Sequence, residues 1–221
     1  MTEETAAKKA RLEPPKLCLI IGNGNRRLTE AEENASSVSE AFKAMGYQTR
    51  TCLNKTVEEM IVQFTTLRCE VKRRSTQEGM CVFYFSGHCR KVNGDIMLTG
   101  GDNRDFDLEY FRSKMEQSQG KMVFGCILDC CYTRGRKPEI YDCISFNPMD
   151  EQFLICGHCD VESFADKGCS QFTNHMCAAM KDSKDVVQVF RRIVCAVVKE
   201  KQPNSQLPVY IESIRTHPLV F

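Results

Sequence analysis

The feature that most constrains the fold is a series of short, continuous apolar runs separated by segments with helical periodicity. An apolar run of about four to eight residues is typical of a strand buried on both faces, and such strands belong to parallel sheets. Strands that alternate with helices predict an α/β protein of three layers, with a mostly parallel central sheet and helices on both faces. The predicted strands lie at 17–21, 80–85, 122–128, 153–156 and 207–214.

The segments between these runs have apolar side chains at helical spacing. Val38, Phe42 and Met45 share one face of a segment that ends at Gly46, and glycine commonly terminates helices. The same spacing predicts three further helices, at 57–67, 176–180 and 186–197.

Chain length and composition favour a single domain. A chain of 221 residues with 42% hydrophobic content closes one sizeable core. We therefore predict a flexible, charged leader at 1–15 and one domain at 16–221, with a long loop at 132–152. A formal net charge of +1 provides no field that would attract nucleic acid or a membrane surface.

The 14 cysteines are expected to be reduced thiols. The polar N-terminal segment has no apolar stretch after it, so it predicts neither a signal peptide nor an anchor. We accordingly expect a cytoplasmic location, with the nucleus as the other open compartment, where disulfides are rare. Several cysteines lie inside apolar runs and are predicted to be buried small hydrophobes: Cys18, Cys81, Cys126 and Cys195.

A histidine and a cysteine follow two of the predicted strands. The sequence SGHC at 86–89 comes after one apolar run, and DCCY at 129–132 comes after the next. Ligands collect at the carboxyl ends of parallel strands, so His88 and Cys131 are expected at the same edge of the sheet. We also expect Gly87 to form a tight turn beside His88.

A cysteine beside a histidine is the arrangement of a thiol nucleophile and its base. The thiolate is the reactive form, and an imidazole that takes the thiol proton makes it available at neutral pH. The same imidazole then protonates the leaving amine of a cleaved peptide. The backbone N–H groups of Cys131 and Cys89 are predicted to face the developing oxyanion.

The motifs resemble those of the caspase-like cysteine peptidases of clan CD, peptidase family C14. The matching segments are LIIGNGN at 19–25, FYFSGH at 83–88 and LDCC at 128–131, and their order and separation extend over about 16–214. The chain is more similar to paracaspases and metacaspases than to animal caspases, and most similar to a paracaspase. The caspase nucleophile signature Q-A-C-R-G is replaced by DCCY.

The resemblance implies roles for particular residues. Cys131 would be the nucleophile and His88 the base, while Asp129, Glu162 and Asn34 would line the substrate pocket. Acidic pockets in this branch accept Arg or Lys before the scissile bond, because carboxylates pair well with a guanidinium. The expected substrates are therefore proteins or peptides cleaved after Arg or Lys, without a cofactor. Homodimerisation through the last strand, 208–214, is also implied.

Two departures from the family pattern keep open a second function, that of a catalytically impaired scaffold or partner-binding module in a signalling complex. Cys89 stands where the family usually has glycine, and a cysteine there would be strained if the position required a positive φ. Asn34 stands where the family has a third pocket acid.

Three other patterns indicate ligand sites less specifically. CGHC at 156–159 contains one C-x-x-C pair without a second, which is weak support for zinc. GNGN at 22–25 follows a strand, yet Arg27 replaces the third glycine of a dinucleotide fingerprint. Asp102, Asp105 and Asp107 are a sparse candidate for a calcium site. We expect no metal requirement.

Overall fold

The structure is a computed structural model that describes residues 14–24, 29–92, 95–132, 153–160, 169–183, 189 and 209–212. The strands within these ranges are β1 (Lys16–Asn23), β2 (Gln48–Leu53), β3 (Gly79–Val92), β4 (Asp95–Thr99), β5 (Asp105–Asp107), β6 (Met122–Tyr132), β7 (Phe153–Asp160) and β8 (Val209–Glu212). The helices are α1 (Thr29–Ala44), α2 (Val57–Arg74), α3 (Leu108–Gln119) and α4 (Gln171–Asp182).

The strands form one sheet in the order β2-β1-β3-β6-β7-β8. The pairs from β2 to β7 are parallel, and β8 is antiparallel to β7. Strands β4 and β5 form an antiparallel hairpin, and β4 pairs antiparallel with the last residues of β3. Helices cover both faces, so the predicted three-layer α/β fold with a mostly parallel sheet is confirmed.

Alternating residues of the strands pack against different helices. In β3, Cys81, Phe83 and Phe85 belong to a core with α2 and α3. Their neighbours Val82 and Tyr84 belong to a core with α1 and α4. This period of two is the pleat of a strand buried on both faces, which explains why the sequence shows a continuous apolar run.

The buried thiols follow the sequence prediction. Cys18, Cys81 and Cys126 are each no more than 2% exposed, within the two cores. The thiols of Cys18, Cys52, Cys69, Cys81, Cys169 and Cys177 form no disulfide. Cys195 lies outside the described residues.

The longest helix described, α2, begins with a capping box. The Thr56 hydroxyl accepts a hydrogen bond from the Glu59 N–H, and the Glu59 carboxylate accepts one from the Thr56 N–H. These bonds satisfy two backbone donors that the helix itself leaves open. In the described part of the chain, no helix has the length and apolar character needed to cross a membrane.

The Gly-Asn-Gly segment at 22–24 ends β1 and has a structural role. The Asn23 side chain is fully buried and donates to the backbone oxygens of Lys55 at 3.1 Å and Thr99 at 3.3 Å. Its Oδ1 accepts from the Lys55 N–H at 2.8 Å. The amide thereby ties the end of β1 to the segment before α2 and to β4, so Asn23 is already used by the fold rather than by a nucleotide.

Several strands extend beyond their apolar runs. β3 and β6 continue to Val92 and Tyr132, so the site residues lie within the last part of each strand, not after it. The predicted tight turn at Gly87 is wrong, because Gly87 lies inside β3. A Cβ atom there would stand 2.6 Å from the Asn23 carbonyl oxygen, so a close backbone approach explains the glycine.

Candidate active site

The two predicted catalytic residues occupy facing positions on adjacent parallel strands. His88 of β3 is the register partner of Cys131 of β6. Neighbouring strands lie about 4.8 Å apart, so the backbones of the two residues are adjacent. His88 is partly exposed. The sheet thus brings a histidine and a cysteine that are 43 positions apart in sequence to one place at its carboxyl edge.

The residues on either side of the pair are structural. Cys130, before Cys131, is 3% exposed and packs in the core under α2 and α3. Cys89, after His88, is 5% exposed and packs in the same core. Both side chains therefore lie away from solvent, which separates Cys130 from its neighbour as a candidate nucleophile.

The backbone of Cys89 is extended. Its register partners are Leu98 in β4 and Tyr132 in β6. Among the residues that the structure describes, the non-glycine residues with positive φ are Asn54 and Asn103. Cys89 consequently needs no glycine-like conformation, and the strain that would have favoured an impaired enzyme is absent at this position.

Asp129 is a buried carboxylate that accepts several hydrogen bonds on one oxygen. The side chain is 6% exposed and lies two positions before Cys131. Four neutral donors point at Oδ2: the Asn34 amide at 3.2 Å, the Tyr84 hydroxyl at 3.2 Å, the Thr173 hydroxyl at 2.7 Å, and the Ser170 hydroxyl. Helices α1 and α4 thus meet strands β3 and β6 around one carboxylate.

Burial and hydrogen bonding have opposite effects on Asp129. Removal from water raises the pKa of this carboxyl, while the bonds from Ser170, Thr173 and Tyr84 lower it. The net direction is upward. A cationic ligand nearby would favour the ionised form, so the buried acid is suited to receive a positive charge.

Asn34 supports Asp129 and has little left for a substrate. Its Nδ2 donates to the Ser86 hydroxyl at 3.0 Å as well as to Asp129, and its Oδ1 accepts from the Ser170 N–H at 2.8 Å. The side chain is 3% exposed. Asn34 therefore contacts Asp129, the other described residue of the predicted pocket, and it supports that side chain structurally.

Glu162, the remaining predicted pocket residue, lies outside the described residues. The described part of β7 ends two positions earlier, at Asp160, which is the register partner of Cys131. The backbone therefore approaches the same edge of the sheet before it reaches Glu162.

Sequence reasoning missed Glu30, Tyr84, Ser170 and Thr173. Burial first, then the charges of Asp129 and Glu33, raise the pKa of Glu30 to about 7. Ser170 caps α4 by accepting from the Thr173 N–H at 3.0 Å, and a serine before an amphipathic segment was a usable signal for that cap. The link from Ser170 and Tyr84 to Asp129 had no sequence signal, because it depends on packing.

The raised pKa of Glu30 predicts a pH-dependent stability. The folded pKa of about 7 exceeds the ordinary 4.5, so the contribution of protonated Glu30 is present below about pH 4.5 and lost as pH rises through about 7. Glu30→Gln is expected to leave the free energy of unfolding unchanged at about pH 4.5 and to raise it by about 1–2 kcal/mol at about pH 8, allowing for solvent screening. Urea unfolding at both pH values measures this.

Glu40→Gln is the matched control for this experiment. Glu40 is an exposed acid of the same helix and pairs with Lys43 at 2.7 Å. Its replacement removes the same formal charge and is expected to change stability by less than about 0.5 kcal/mol at either pH. An equal gain from both variants at high pH would contradict the assignment of a raised pKa to Glu30.

The alternative ligand sites receive no support from the described side chains. Asp102 pairs with Arg104, Asp105 pairs with Arg90, and Asp107 caps α3. Among the described residues, no group of three or more His, Cys, Asp or Glu side chains could hold a metal. The CGHC segment at 156–159 lies on β7, where side chains are outside the described set.

A mostly parallel sheet between two helical layers, with histidine and cysteine facing each other at its carboxyl edge, defines a protein of the caspase fold. The caspase domain of the family Peptidase_C14 matches residues 15–220. The chain belongs to this family, whose members are cysteine peptidases. No curated protein matches the chain.

Proposed function

We propose that the chain is a cysteine endopeptidase that uses Cys131 and His88 to cleave peptide bonds after Arg or Lys. The observation that supports this most directly is the register pairing of His88 with Cys131 at the carboxyl edge of the sheet. Membership of the caspase family supports cysteine peptidase activity in general. The similarity of the motifs favours the paracaspase and metacaspase branch, and within it a paracaspase.

In the proposed reaction, His88 takes the proton of the Cys131 thiol, and the thiolate attacks the scissile carbonyl carbon. The carbonyl oxygen becomes an oxyanion that the backbone N–H groups of Cys131 and Cys89 would stabilise. Collapse of this intermediate breaks the C–N bond, and His88 gives its proton to the leaving amine. Water activated by the same imidazole then hydrolyses the thioester and restores the thiol.

The buried carboxylate of Asp129 supports a preference for a basic side chain. It lies two positions before Cys131 on the same strand and is 6% exposed. A guanidinium or ammonium group that reached it would pair with a desolvated negative charge, an interaction stronger than one at the surface. Glu162 remains a proposed second acid of this pocket.

A non-catalytic scaffold is the second function that the sequence left open. The caspase family match does not favour it, and Cys89 adopts an extended conformation that a cysteine tolerates. We therefore retain the peptidase as the proposal. Its proposed setting is the cytoplasm or nucleus, with protein substrates.

Homodimerisation through the last strand, 208–214, is part of the proposal. In the sheet as described, β8 pairs with β7 on one side and stands last in the strand order. An edge strand offers open backbone donors and acceptors to a second copy. Association would place the edges of two sheets together.

The test is hydrolysis of matched fluorogenic peptides that differ only in ending with Arg, Lys or Asp. We expect Arg and Lys peptides to exceed the Asp peptide in kcat/KM by about 100-fold or more, because an acidic pocket repels a carboxylate. The assay should include dimer-promoting salt. Preferential cleavage after Asp would overturn the pocket assignment while leaving a cysteine peptidase.

A further inference from the structure

We propose that Glu30 is the pocket residue that selects Arg and Lys. From one helical turn away, it would supply the carboxylate that the family has at the position of Asn34. This inference rests on the proposed peptidase function and names a specificity-determining residue for it. Glu30 is the second residue of α1 and is partly buried.

Asn34 cannot provide the negative charge that would select Arg and Lys. Its amide nitrogen and oxygen are both engaged with Ser86, Asp129 and Ser170, as described above. An amide also lacks the negative charge that distinguishes Arg and Lys from neutral side chains. A third pocket acid, in addition to Asp129 and the proposed Glu162, would therefore have to come from another residue.

The Asp129 carboxylate is engaged by the described residues at one of its two oxygens. The hydrogen bonds that the structure gives this carboxylate end on Oδ2. A guanidinium presents a fork of donors and is held best by more than one acceptor. Because Oδ2 already accepts hydrogen bonds from these described residues, a guanidinium would be held better by Oδ1 together with a further carboxylate.

Glu30 lies one helical turn before Asn34 on α1. Glu30 and Asn34 are four residues apart, so they share one face of the helix. Asn34 contacts Ser86 and Asp129, which are register partners. One turn rises about 5.4 Å, and a strand about 3.3 Å per residue, so Glu30 is about level with the next register pairs.

The direction of α1 determines which pairs those are. β1 ends at the carboxyl edge with Asn23, and α1 begins at Thr29 and runs back along the sheet. The N-terminal turn is thus the one nearest the edge. Helical side chains also incline toward the N-terminus, which carries the Glu30 carboxylate further toward the level of His88 and Cys131.

The other acids of the first turns of α1 are placed differently. The Glu32 carboxylate accepts a hydrogen bond from the side chain of Asn54, on the segment that follows β2. Glu33 is exposed. Burial first, and then the charge of Asp129, raise the pKa of Glu30, and the second of these causes indicates that the Glu30 and Asp129 carboxylates approach each other.

Selectivity should consequently depend on pH. The groups that act on Glu30 in the described structure are Asp129 on β6, Glu33 on α1 and Cys169 before α4, and His88 lies at the same edge of the sheet. The Glu30 pKa of about 7 means that ionisation, and with it the attraction for Arg, is completed as pH rises from about 6 to about 8. A bound guanidinium would favour the ionised form.

The experiment compares peptides ending in Arg with peptides ending in citrulline, a neutral side chain of nearly the same shape. The ratio of their kcat/KM values cancels the titration of Cys131 and His88. For the wild type, this ratio is expected to rise with pH between about 6 and 8. Glu30→Gln is expected to lower the Arg value about 10- to 100-fold, to leave the citrulline value within about twofold, and to flatten the pH dependence.

The control is Glu40→Gln, ten residues and about 15 Å further along α1. It should leave the ratio unchanged at every pH. An unchanged ratio in Glu30→Gln, with the wild type still preferring Arg, overturns this inference and leaves the proposed function standing. A wild type that does not prefer Arg over citrulline overturns both the pocket of the proposed function and this inference.

A binding measurement covers the case in which the chain shows no turnover. N-acetyl-arginine amide is titrated into ¹³C-labelled wild type, and the Glu30 carboxyl resonance is followed. Saturable movement of that resonance, and weaker binding to Glu30→Gln than to Glu40→Gln, supports the inference. A Glu30 resonance that does not respond overturns it. Circular dichroism of each variant verifies that the fold is retained.

Discussion

Replacement of Cys131 by alanine is expected to remove peptide hydrolysis. Without the thiol no thioester can form, and loss of a nucleophile from a peptidase lowers kcat by at least about 10⁴-fold. Turnover of an Arg-ended fluorogenic peptide measures this directly. Since Cys131 stands at the edge of the sheet opposite His88, its replacement should change the free energy of unfolding by less than about 1 kcal/mol.

Cys130→Ala is the matched control, because it removes the same atoms one residue earlier. The Cys130 side chain packs in the core under α2 and α3, so its loss leaves a small cavity and is expected to lower stability by about 1–2 kcal/mol. Activity should remain within a few-fold of wild type. Hydrolysis that survives in Cys131→Ala and disappears in Cys130→Ala would reverse the assignment of nucleophile.

Alkylation kinetics provide an independent reading of the same pair. A thiol whose proton is taken by His88 should react with iodoacetamide faster than the ordinary thiols of the chain. His88→Ala should then slow the labelling of Cys131, while Cys69, an exposed thiol on α2, provides the rate of a thiol outside the site.

The sequence predicts the central strands well because their environment leaves a strong signal. β1, β3 and β6 are buried on both faces, so each contains a continuous apolar run. β2 gives no such run: Cys52 is its single buried side chain, since β2 lies at the end of the strand order. β4 and β5 are short, and they are defined by their pairing, β4 with β3 and β5 with β4.

The candidate site also contains some residues whose role the sequence predicts and others whose role it does not. His88 and Cys131 could be predicted because strand ends of a parallel sheet converge, and each follows a recognisable apolar run. The setting of Asp129 could not, because Tyr84 approaches it from β3 while Ser170 and Thr173 approach it from the first turn of α4. Likewise, the role of Asn34 depends on hydrogen bonds that identity and spacing alone do not reveal.

Two substitutions of Asp129 should separate its charge from its hydrogen bonds. In Asp129→Ala, four buried donors lose their acceptor, which is expected to cost about 3–5 kcal/mol of folding free energy. In Asp129→Asn, an amide oxygen with two lone pairs takes the place of Oδ2 as the hydrogen-bond acceptor, and the donors around it are neutral groups. Urea unfolding should therefore show a large loss for alanine and little or none for asparagine.

The sign of the asparagine effect follows from the pKa of Asp129. Burial raises that pKa in the folded state, so the favourable contribution of the protonated form is present below the unfolded value and lost as pH rises through the folded one. Removing the charge should make Asp129→Asn at least as stable as wild type at neutral pH. A marked destabilisation there would show that the ionised carboxylate is needed for folding.

Activity should respond in the opposite way to stability. Asp129→Asn keeps the local structure but presents an uncharged amide to the substrate, with its NH₂ group on the side that Oδ1 occupied. The kcat/KM for Arg-ended peptides is expected to fall by about 10²- to 10³-fold, the effect of removing one partner from a buried ion pair. The citrulline peptide should fall far less, because it never used the charge. If both peptides lose activity equally while the fold is intact, Asp129 orients the catalytic strand rather than the substrate.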